Sequence, residues 1–375
     1  MYDQMLRIRN RDSVSKINSE SRKKVIFFER IQQEIMRRHD CLQKGQIMLP
    51  LKYLFENYEL AKECLKRYDH SEENPDEMLR HFRISSNAIY PFYADENGKV
   101  CYLRLSPTAE KDPSDVVSEL HFITWLSEHG YPIMKPYPMK DGKLHDVIST
   151  RWGTYNVSCF EEVSGETLED TEGSLELAYG YGRTLAELHN LSEAYPYSDE
   201  RRNHTELLTE IKERLIKNRA PGIVLAQCDT IADELSRLEI RKDNYGLIHY
   251  DFEPDNVLYD KESGQFGVID PDDSIRCFYA LDVVRAVDAM DDVAEEELTE
   301  QAVNAFFEGY RSKRIFSQEQ AASLPLMRKL VSLQEYATIL HVLSEPTEEE
   351  PEWMTQIKAK LNRKTDRIEA SFSQT

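Results

Sequence analysis

A change of period near residue 170 restricts what this chain can fold into. Beyond Ser174, apolar residues recur at helical spacing over 175–191, 204–218, 230–242, 279–290, 296–310, 324–343 and 352–370, and one β-rich insert at 247–269 interrupts them. Before that point the pattern is that of strands. Apolar residues at 82, 84, 88, 90 and 92 and at 100, 102, 103 and 105 lie on either side of Asp95-Glu96-Asn97-Gly98, which predicts two strands joined by an Asn-Gly turn. A helix follows, opened by Asp112-Pro113 in cap and first-turn positions and closed by Gly130 with Pro132 beyond it. Residues 132–146 read as loop, and 148–163 are again rich in β-branched and aromatic residues, ending at Ser164-Gly165. With a helical stretch at 51–68 in front, this order predicts an α+β chain. A small β-rich lobe over 51–160 and a large, mainly helical lobe over 161–375 are joined near 160–165.

Residues 1–50 stand apart as a basic, helical N-terminal extension. They hold eleven Lys and Arg against six Asp and Glu, and Phe27, Phe28, Ile31 and Ile35 share one helical face within 25–36. The whole chain carries −21, so the other 325 residues carry −26. A surface of that sign does not displace counterions from a nucleic acid, which excludes nucleic acid as a partner. It attracts cationic substrates and equally keeps a protein soluble. No apolar run approaches the roughly 18 residues a membrane span needs, and the N-terminus lacks the apolar centre of a secretory signal, so the expected location is cytoplasmic with no membrane partner. The six cysteines are scattered without a close pair, as reduced thiols would be.

The chemistry concentrates in the β-rich insert, at His249-Tyr-Asp251-Phe-Glu-Pro-Asp-Asn256, a Gly264 turn, and Val268-Ile269-Asp270. Phosphoryl transfer from ATP needs a carboxylate to orient an acceptor hydroxyl and take its proton, and hard oxygen ligands to hold Mg2+ against the phosphates. Asp251 suits the first task. Asn256, at the far end of the same loop, and Asp270, at the end of the next strand, suit the second.

These residues in this order resemble the catalytic loop and metal-binding aspartate of the aminoglycoside phosphotransferase and choline kinase family, within the protein-kinase-like superfamily. The resemblance covers roughly residues 52–345 and is most specific at 247–285. It implies a bilobal protein-kinase-like fold, Asp251 as catalytic base, His249 as a loop-organising residue, and Asn256 and Asp270 as Mg2+ ligands. Asp282 matches a further family aspartate that braces the catalytic loop. Asp270-Pro271-Asp272-Asp273 replaces the Asp-Phe-Gly of protein kinases, and Pro271 departs from the aromatic residue expected there.

The phosphate clamp falls in the N-terminal half. In kinases a third-strand lysine, paired to a helix glutamate, holds the nucleotide; here Arg104 takes the strand position and Glu119 is its expected partner. Val116, Glu119, Ile123 and Leu126 share one helix face. No glycine-rich loop precedes the strand, and Ser85-Ser86-Asn87 occupies the position of the turn over the phosphates. The connector around Phe160 and Glu161 resembles the interlobe hinge, whose backbone binds the adenine edge. His189, in a helix resembling one of the family's, is expected to be structural. Trp152, Tyr155 and Trp353 are candidates for an acceptor pocket or for core, and Asp272, Asp273, Asp288, Asp291 and Asp292 for meeting an amine. The reading that follows is an ATP- and Mg2+-dependent phosphotransferase acting on a small-molecule hydroxyl, a cationic one among the candidates. A serine/threonine protein kinase and a non-catalytic nucleotide-binding module are the alternatives.

Overall fold

The computed structural model describes residues 58–72, 78–80, 83–84, 87–196, 201–290, 293, 299–344 and 352–373. The expectations for residues 1–50, Ser85, Ser86, Asp291 and Asp292, and for the side chain of Trp353, lie outside the described residues. The alternating segment becomes three strands, β1 (Arg83–Ile84), β2 (Ala88–Tyr93) and β3 (Val100–Pro107). The β2–β3 loop closes as its sequence predicts: Gly98 takes a φ of 83°, and the Asp95 carboxylate accepts from the Asn97 and Lys99 amides. Within β2, Pro91 stands opposite Tyr102 of β3, and the Tyr93 carbonyl accepts from the Ser71 amide at 2.8 Å.

With β4 (His145–Thr150) and β5 (Gly153–Glu161) these strands form an antiparallel sheet in the order β1-β2-β3-β5-β4. Its inner face carries Tyr90, Phe92, Leu103 and Cys159, which pack on Leu60 and Cys64 of helix α1 (Tyr58–Leu65) and on Tyr68. Each such large apolar side chain contributes about 1.5–3 kcal/mol relative to exposure. Trp152 and Tyr155 pack on the same cluster, so they belong to this lobe's packing.

Helix α2 (Pro113–Glu128) starts as expected, with the Asp112 carboxylate accepting from the Ser114 amide and Pro113 in the first turn. Its apolar face serves the other lobe. Val116, Leu120, Ile123 and Leu126 join a core with Ile133, Leu177, Tyr181 and Phe306. The chain leaving α2 ties the lobes together: the Met134 amide donates to the Val268 carbonyl at 2.9 Å, and the Glu161 amide to the Lys135 carbonyl at 2.8 Å.

The large lobe follows with β6 (Glu166–Thr167), α3 (Leu175–Ala194), α4 (His204–Lys217), α5 (Gly222–Ser236), β7 (Tyr245–Ile248), β8 (Val257–Asp260), β9 (Gln265–Val268), β10 (Ile275–Phe278), α6 (Ala280–Asp288), α7 (Thr299–Arg311), α8 (Gln318–Leu343) and α9 (Glu352–Phe372). Helices α3 and α7 touch backbone to backbone: a Cβ on Gly182 would stand 2.0 Å from the Phe306 carbonyl oxygen, and one on Gly309 1.9 Å from that of Tyr179. Three elements differ from expectation. Strand β10 pairs with β7 where no strand was expected, α5 starts at Gly222 directly behind Pro221, and α8 starts at Gln318 with a Ser317–Gln320 capping box that carries it through Pro325. Among the described residues no helix is long and apolar enough to cross a membrane. The described cysteines, Cys64, Cys101, Cys159, Cys228 and Cys277, are free and buried.

Candidate active site

The loop 249–256 hangs between β7 and β8, and its shape depends on one carboxylate. Asp282, fully buried at the start of α6, accepts from the His249 amide at 2.8 Å through Oδ2 and from the Tyr250 amide at 2.7 Å through Oδ1. Directly after these two amides the chain turns sharply, since Tyr250 adopts a φ of 74°, in the left-handed region that non-glycine residues rarely enter. The motif thus imposes a strained turn, and Asp282 holds it. Behind Asp282, His189 Nε2 donates to Oδ2 at 3.2 Å while its Nδ1 accepts from the Tyr310 hydroxyl at 2.8 Å, so His189 is a neutral structural residue. Burial lowers its pKa, with Asp282 pulling the other way.

His249 organises the loop from within. Its Nε2 donates to the Ile269 carbonyl at 2.9 Å, which joins the loop to the strand that carries Asp270. Burial lowers its pKa as well, against the pull of Asp282. The Ile269 amide donates to the Asn256 carbonyl at 3.0 Å, and the Asn256 Nδ2 donates to Asp251 Oδ2 at 3.0 Å. These bonds tie Asn256 to Asp251 on one side and to the residue before Asp270 on the other.

The Asn256 amide faces Asp251 with its nitrogen, which turns Oδ1 to the opposite side as a carbonyl donor for a cation. Asp270 also has a left-handed backbone, φ 60°. Among the described residues no group of three or more His, Cys, Asp or Glu is arranged as metal ligands. One amide oxygen and one carboxylate suit Mg2+ that takes the rest of its shell from phosphate and water. The residues present therefore fit the ion that phosphoryl transfer requires.

Asp251 keeps 27 % of its side chain exposed. Burial raises its pKa well above the carboxylate range, Glu253 adds to the rise, and Arg285 opposes it. Arg285, on α6, was not expected from sequence. It stands 3.8 Å from Asp251 Oδ1 and 3.2 Å from Glu253 Oε1, donates to Gln334 Oε1 at 2.7 Å, and lies over the Tyr250 ring.

The expected clamp pair forms. Arg104 donates from both terminal nitrogens to Glu119, at 2.7 and 2.9 Å, and from Nε to Ser158 Oγ at 3.2 Å. The pair is sealed, with Arg104 only 2 % exposed, and Phe160 covers one guanidinium face at 4.8 Å. Phe160 is therefore packing, and its side chain is not turned to a ligand. Glu161 pairs with Lys99 at 2.7 Å. Beyond Glu161 the connector stays tied to β3, the Glu162 amide donating to the Val100 carbonyl at 3.1 Å. Gly165 ends the connector where a Cβ would meet the Tyr259 carbonyl carbon at 2.6 Å.

Asn87 and Asp272 depart from expectation. Asn87 does not present its side chain to a phosphate: it is buried, donates to Asp272 Oδ2 at 2.8 Å, and accepts from Ser106. Asp272 is not open to an amine either. Lys111 Nζ donates to its Oδ2 and to its carbonyl, both at 2.9 Å, and Arg201 donates to the same carbonyl at 2.8 Å. Burial opposes the charge on Asp272, and Lys111 and Arg104 overcome it, holding the carboxyl below the ordinary range. Asp270 is pushed upward by burial and by Asp272, against the pull of Arg104 and Lys111. Asp273 is half-buried among the charges of Lys111, Arg201 and Arg202, and Asp288 pairs with Arg328. Lys111 and Arg201 were missed in the sequence. Lys111 did leave a signal, as the one further cation between Arg104 and Glu119.

The chain is 24 % identical to amicoumacin kinase of Bacillus subtilis (strain 168) over 226 residues, 60 % of this chain and 65 % of that protein, so it spans just under two thirds of that relative. It is 30 % identical to homoserine kinase of Neisseria meningitidis serogroup B over 222 residues, 56 % of this chain and 68 % of that protein. Among solved structures, the fold matches an amicoumacin kinase in complex with AMP-PNP, Ca2+ and Ami with a TM-score of 0.71 at 22 % identity, covering 84 % of this chain and 94 % of that one. A microcompartment-associated aminopropanol kinase matches with a TM-score of 0.63 at 22 % identity, covering 85 % and 98 %. Both likenesses are of the bilobal α+β fold described above. The sequence profile of the phosphotransferase enzyme family matches residues 84–316, from β1 through the loop 249–256 to just beyond α7. The chain belongs to the phosphotransferase enzyme family.

Proposed function

We propose that this protein transfers the γ-phosphoryl group of ATP to a hydroxyl of a small molecule, with Mg2+ as the metal. The observation that carries the reading is the tie from Asn256 to Asp251 on one side and to the residue before Asp270 on the other. In this scheme Asn256 Oδ1 and Asp270 hold Mg2+, which neutralises phosphate charge. Asp251 accepts a hydrogen bond from the acceptor hydroxyl and takes its proton as the oxygen attacks. The new bond joins the acceptor oxygen to the γ-phosphorus, the bond to the β,γ-bridging oxygen breaks, and ADP leaves with that electron pair. The connector backbone around Phe160 and Glu161 suits the adenine edge, and the buried Arg104–Glu119 pair braces the phosphate side of the site. Positioning and fixed charge supply most of the rate.

The division into an extension at 1–50, a lobe at 51–160 and a lobe at 161–375 belongs to the same proposal, with nucleotide held between the lobes. Relatives named for homoserine, amicoumacin and aminopropanol favour a small acceptor over a protein. Buried free thiols and an acidic surface suit a cytoplasmic enzyme that binds no nucleic acid.

The test is ADP release from Mg-ATP in the presence of homoserine, aminopropanol, spectinomycin, choline or an aminoglycoside. Asp251→Ala should lower the rate by about 10²–10⁴-fold while leaving nucleotide affinity close to wild type. Chelating the metal should stop transfer, and added Mg2+ should restore it. Full activity in Asp251→Ala would overturn the assignment of this loop.

A further inference from the structure

A phosphate held in a cleft needs a cation with an N–H that can reach it. Arg104 presents none: it is 2 % exposed, its terminal nitrogens are spent on Glu119 and its Nε on Ser158, and Phe160 covers it. Arg201 is also buried, and it donates to carbonyls of Asp115, Asp272 and Ser274. Arg285 is turned to Glu253 and Gln334.

Lys111 is placed differently. It rises from the loop between β3 and α2, with 14 % of its side chain exposed. Two of its three ammonium N–H groups go to Oδ2 and the carbonyl of Asp272, and Glu119 Oε2 at 3.7 Å is too far for a hydrogen bond. One donor therefore has no acceptor within reach among the described residues. The two bonds to Asp272 fix the ammonium at the turn that begins two residues before with Asp270, the carboxylate that would hold the metal. A lysine there offers a compact charge with rotatable donors, which suits a phosphate oxygen.

We propose that Lys111, and not Arg104, is the residue that touches the terminal phosphates of the nucleotide, with Arg104 a positioning residue that fixes Glu119 beside it. Asp272 and Asn87 then anchor the ammonium and do not themselves meet phosphate. The inference rests on the reading of this cleft as a nucleotide site.

Two measurements test it. The first uses the intact protein and an acyl-phosphate derivative of ATP. The amine of a lysine beside the phosphates attacks the acyl carbon, an amide forms, the acyl–phosphate bond breaks, and ATP departs with the amine's proton passing to solvent. Mass spectrometry of the digest should find the acyl group on Lys111, with excess Mg-ATP preventing it. Labelling confined to other lysines would overturn the proposal, and this result needs no variant to fold.

The second measurement is calorimetric affinity for AMP, ADP and AMP-PNP with Mg2+. Lys111→Met should weaken AMP-PNP about tenfold or more, ADP less, and AMP by under about twofold, and Lys111→Arg should recover most of the loss. A merely structural lysine would weaken all three alike, and that result, or no loss at all, would overturn the assignment. If the wild type binds no AMP-PNP, the nucleotide reading itself fails. If it binds AMP-PNP with Lys111 unlabelled and Lys111→Met indifferent, only the present inference fails.

Discussion

Two buried carboxylates flank the cleft, and they are satisfied by opposite means. Glu119 and Asp282 are both fully buried. Glu119 faces side chains: Arg104 on both oxygens, and Lys111 further off. Asp282 faces backbone, the amides of His249 and Tyr250, with the neutral His189 as its one side-chain partner. A side-chain donor can be removed by mutation, whereas a backbone amide cannot. The small-lobe network is therefore replaceable as a unit, and the catalytic-loop network is not.

The largest effect is expected at Glu119. Glu119→Ala strands the Arg104 guanidinium without its partner and should cost about 3–5 kcal/mol in denaturant unfolding, with AMP-PNP affinity falling in parallel. The double variant Arg104→Met/Glu119→Leu should recover most of that stability, since a buried ion pair exchanged for apolar groups of similar volume is often near neutral. If the double variant is as unstable as the single one, the small-lobe network is not replaceable and the contrast with Asp282 collapses.

A smaller effect on stability and a sharper one on turnover is expected at Asp282. Asp282→Asn keeps one acceptor oxygen but turns an NH2 toward the second amide, which should cost roughly 1–3 kcal/mol. Because Tyr250 holds its φ of 74° against that carboxylate, the loop should relax and displace Asp251. The expected signature is a fall in kcat with AMP-PNP affinity preserved, the reverse of Glu119→Ala. Equal losses of affinity in the two variants would show that the networks act as one.

The same contrast governs what the sequence made legible. Asp251, Asn256, Asp270 and Asp282 lie within one short stretch, and their spacing reflects the single loop and strand pair they build. Arg104 and Glu119 were readable because strand and helix periods place them on facing surfaces, 15 residues apart. Lys111 meets Asp272 across 161 residues, and Asn87 meets it across 185; no local period encodes such a meeting. For the same reason Asn87 was expected to face phosphate, when its amide is committed to a carboxylate from the other lobe. Strand β10 escaped notice because its four residues form a strand only by pairing with β7 across the intervening catalytic loop. Helices α5 and α8 start ahead of the apolar spacing at 230 and 324, because Pro221 and the Ser317 cap open them on more polar first turns.

The smallest effect is expected from pH, and between the two buried carboxylates only Asp282 has a histidine through which it acts. Burial lowers the pKa of His189 below its ordinary 6.5, and Asp282 offsets this only in part. Between those two values the unfolded chain binds a proton that the folded chain refuses, so acidification favours unfolding. His189 therefore supports the fold fully above pH 6.5, and its contribution should fall by up to about 1.4 kcal/mol per pH unit below that value. His204 and His249 are lowered in the same direction, so the wild type should decline more steeply than one histidine allows. His189→Gln can still donate to Asp282 and accept from Tyr310 but carries no proton to refuse, so urea unfolding at pH 7.5 and 5.5 should show it losing less stability than the wild type between the two. Glu119 has no histidine partner, so Arg104→Met/Glu119→Leu should follow the wild type over the same interval. If the His189→Gln curve also parallels the wild type, His189 accepts its proton in place, and Asp282 is held by an ion pair as Glu119 is.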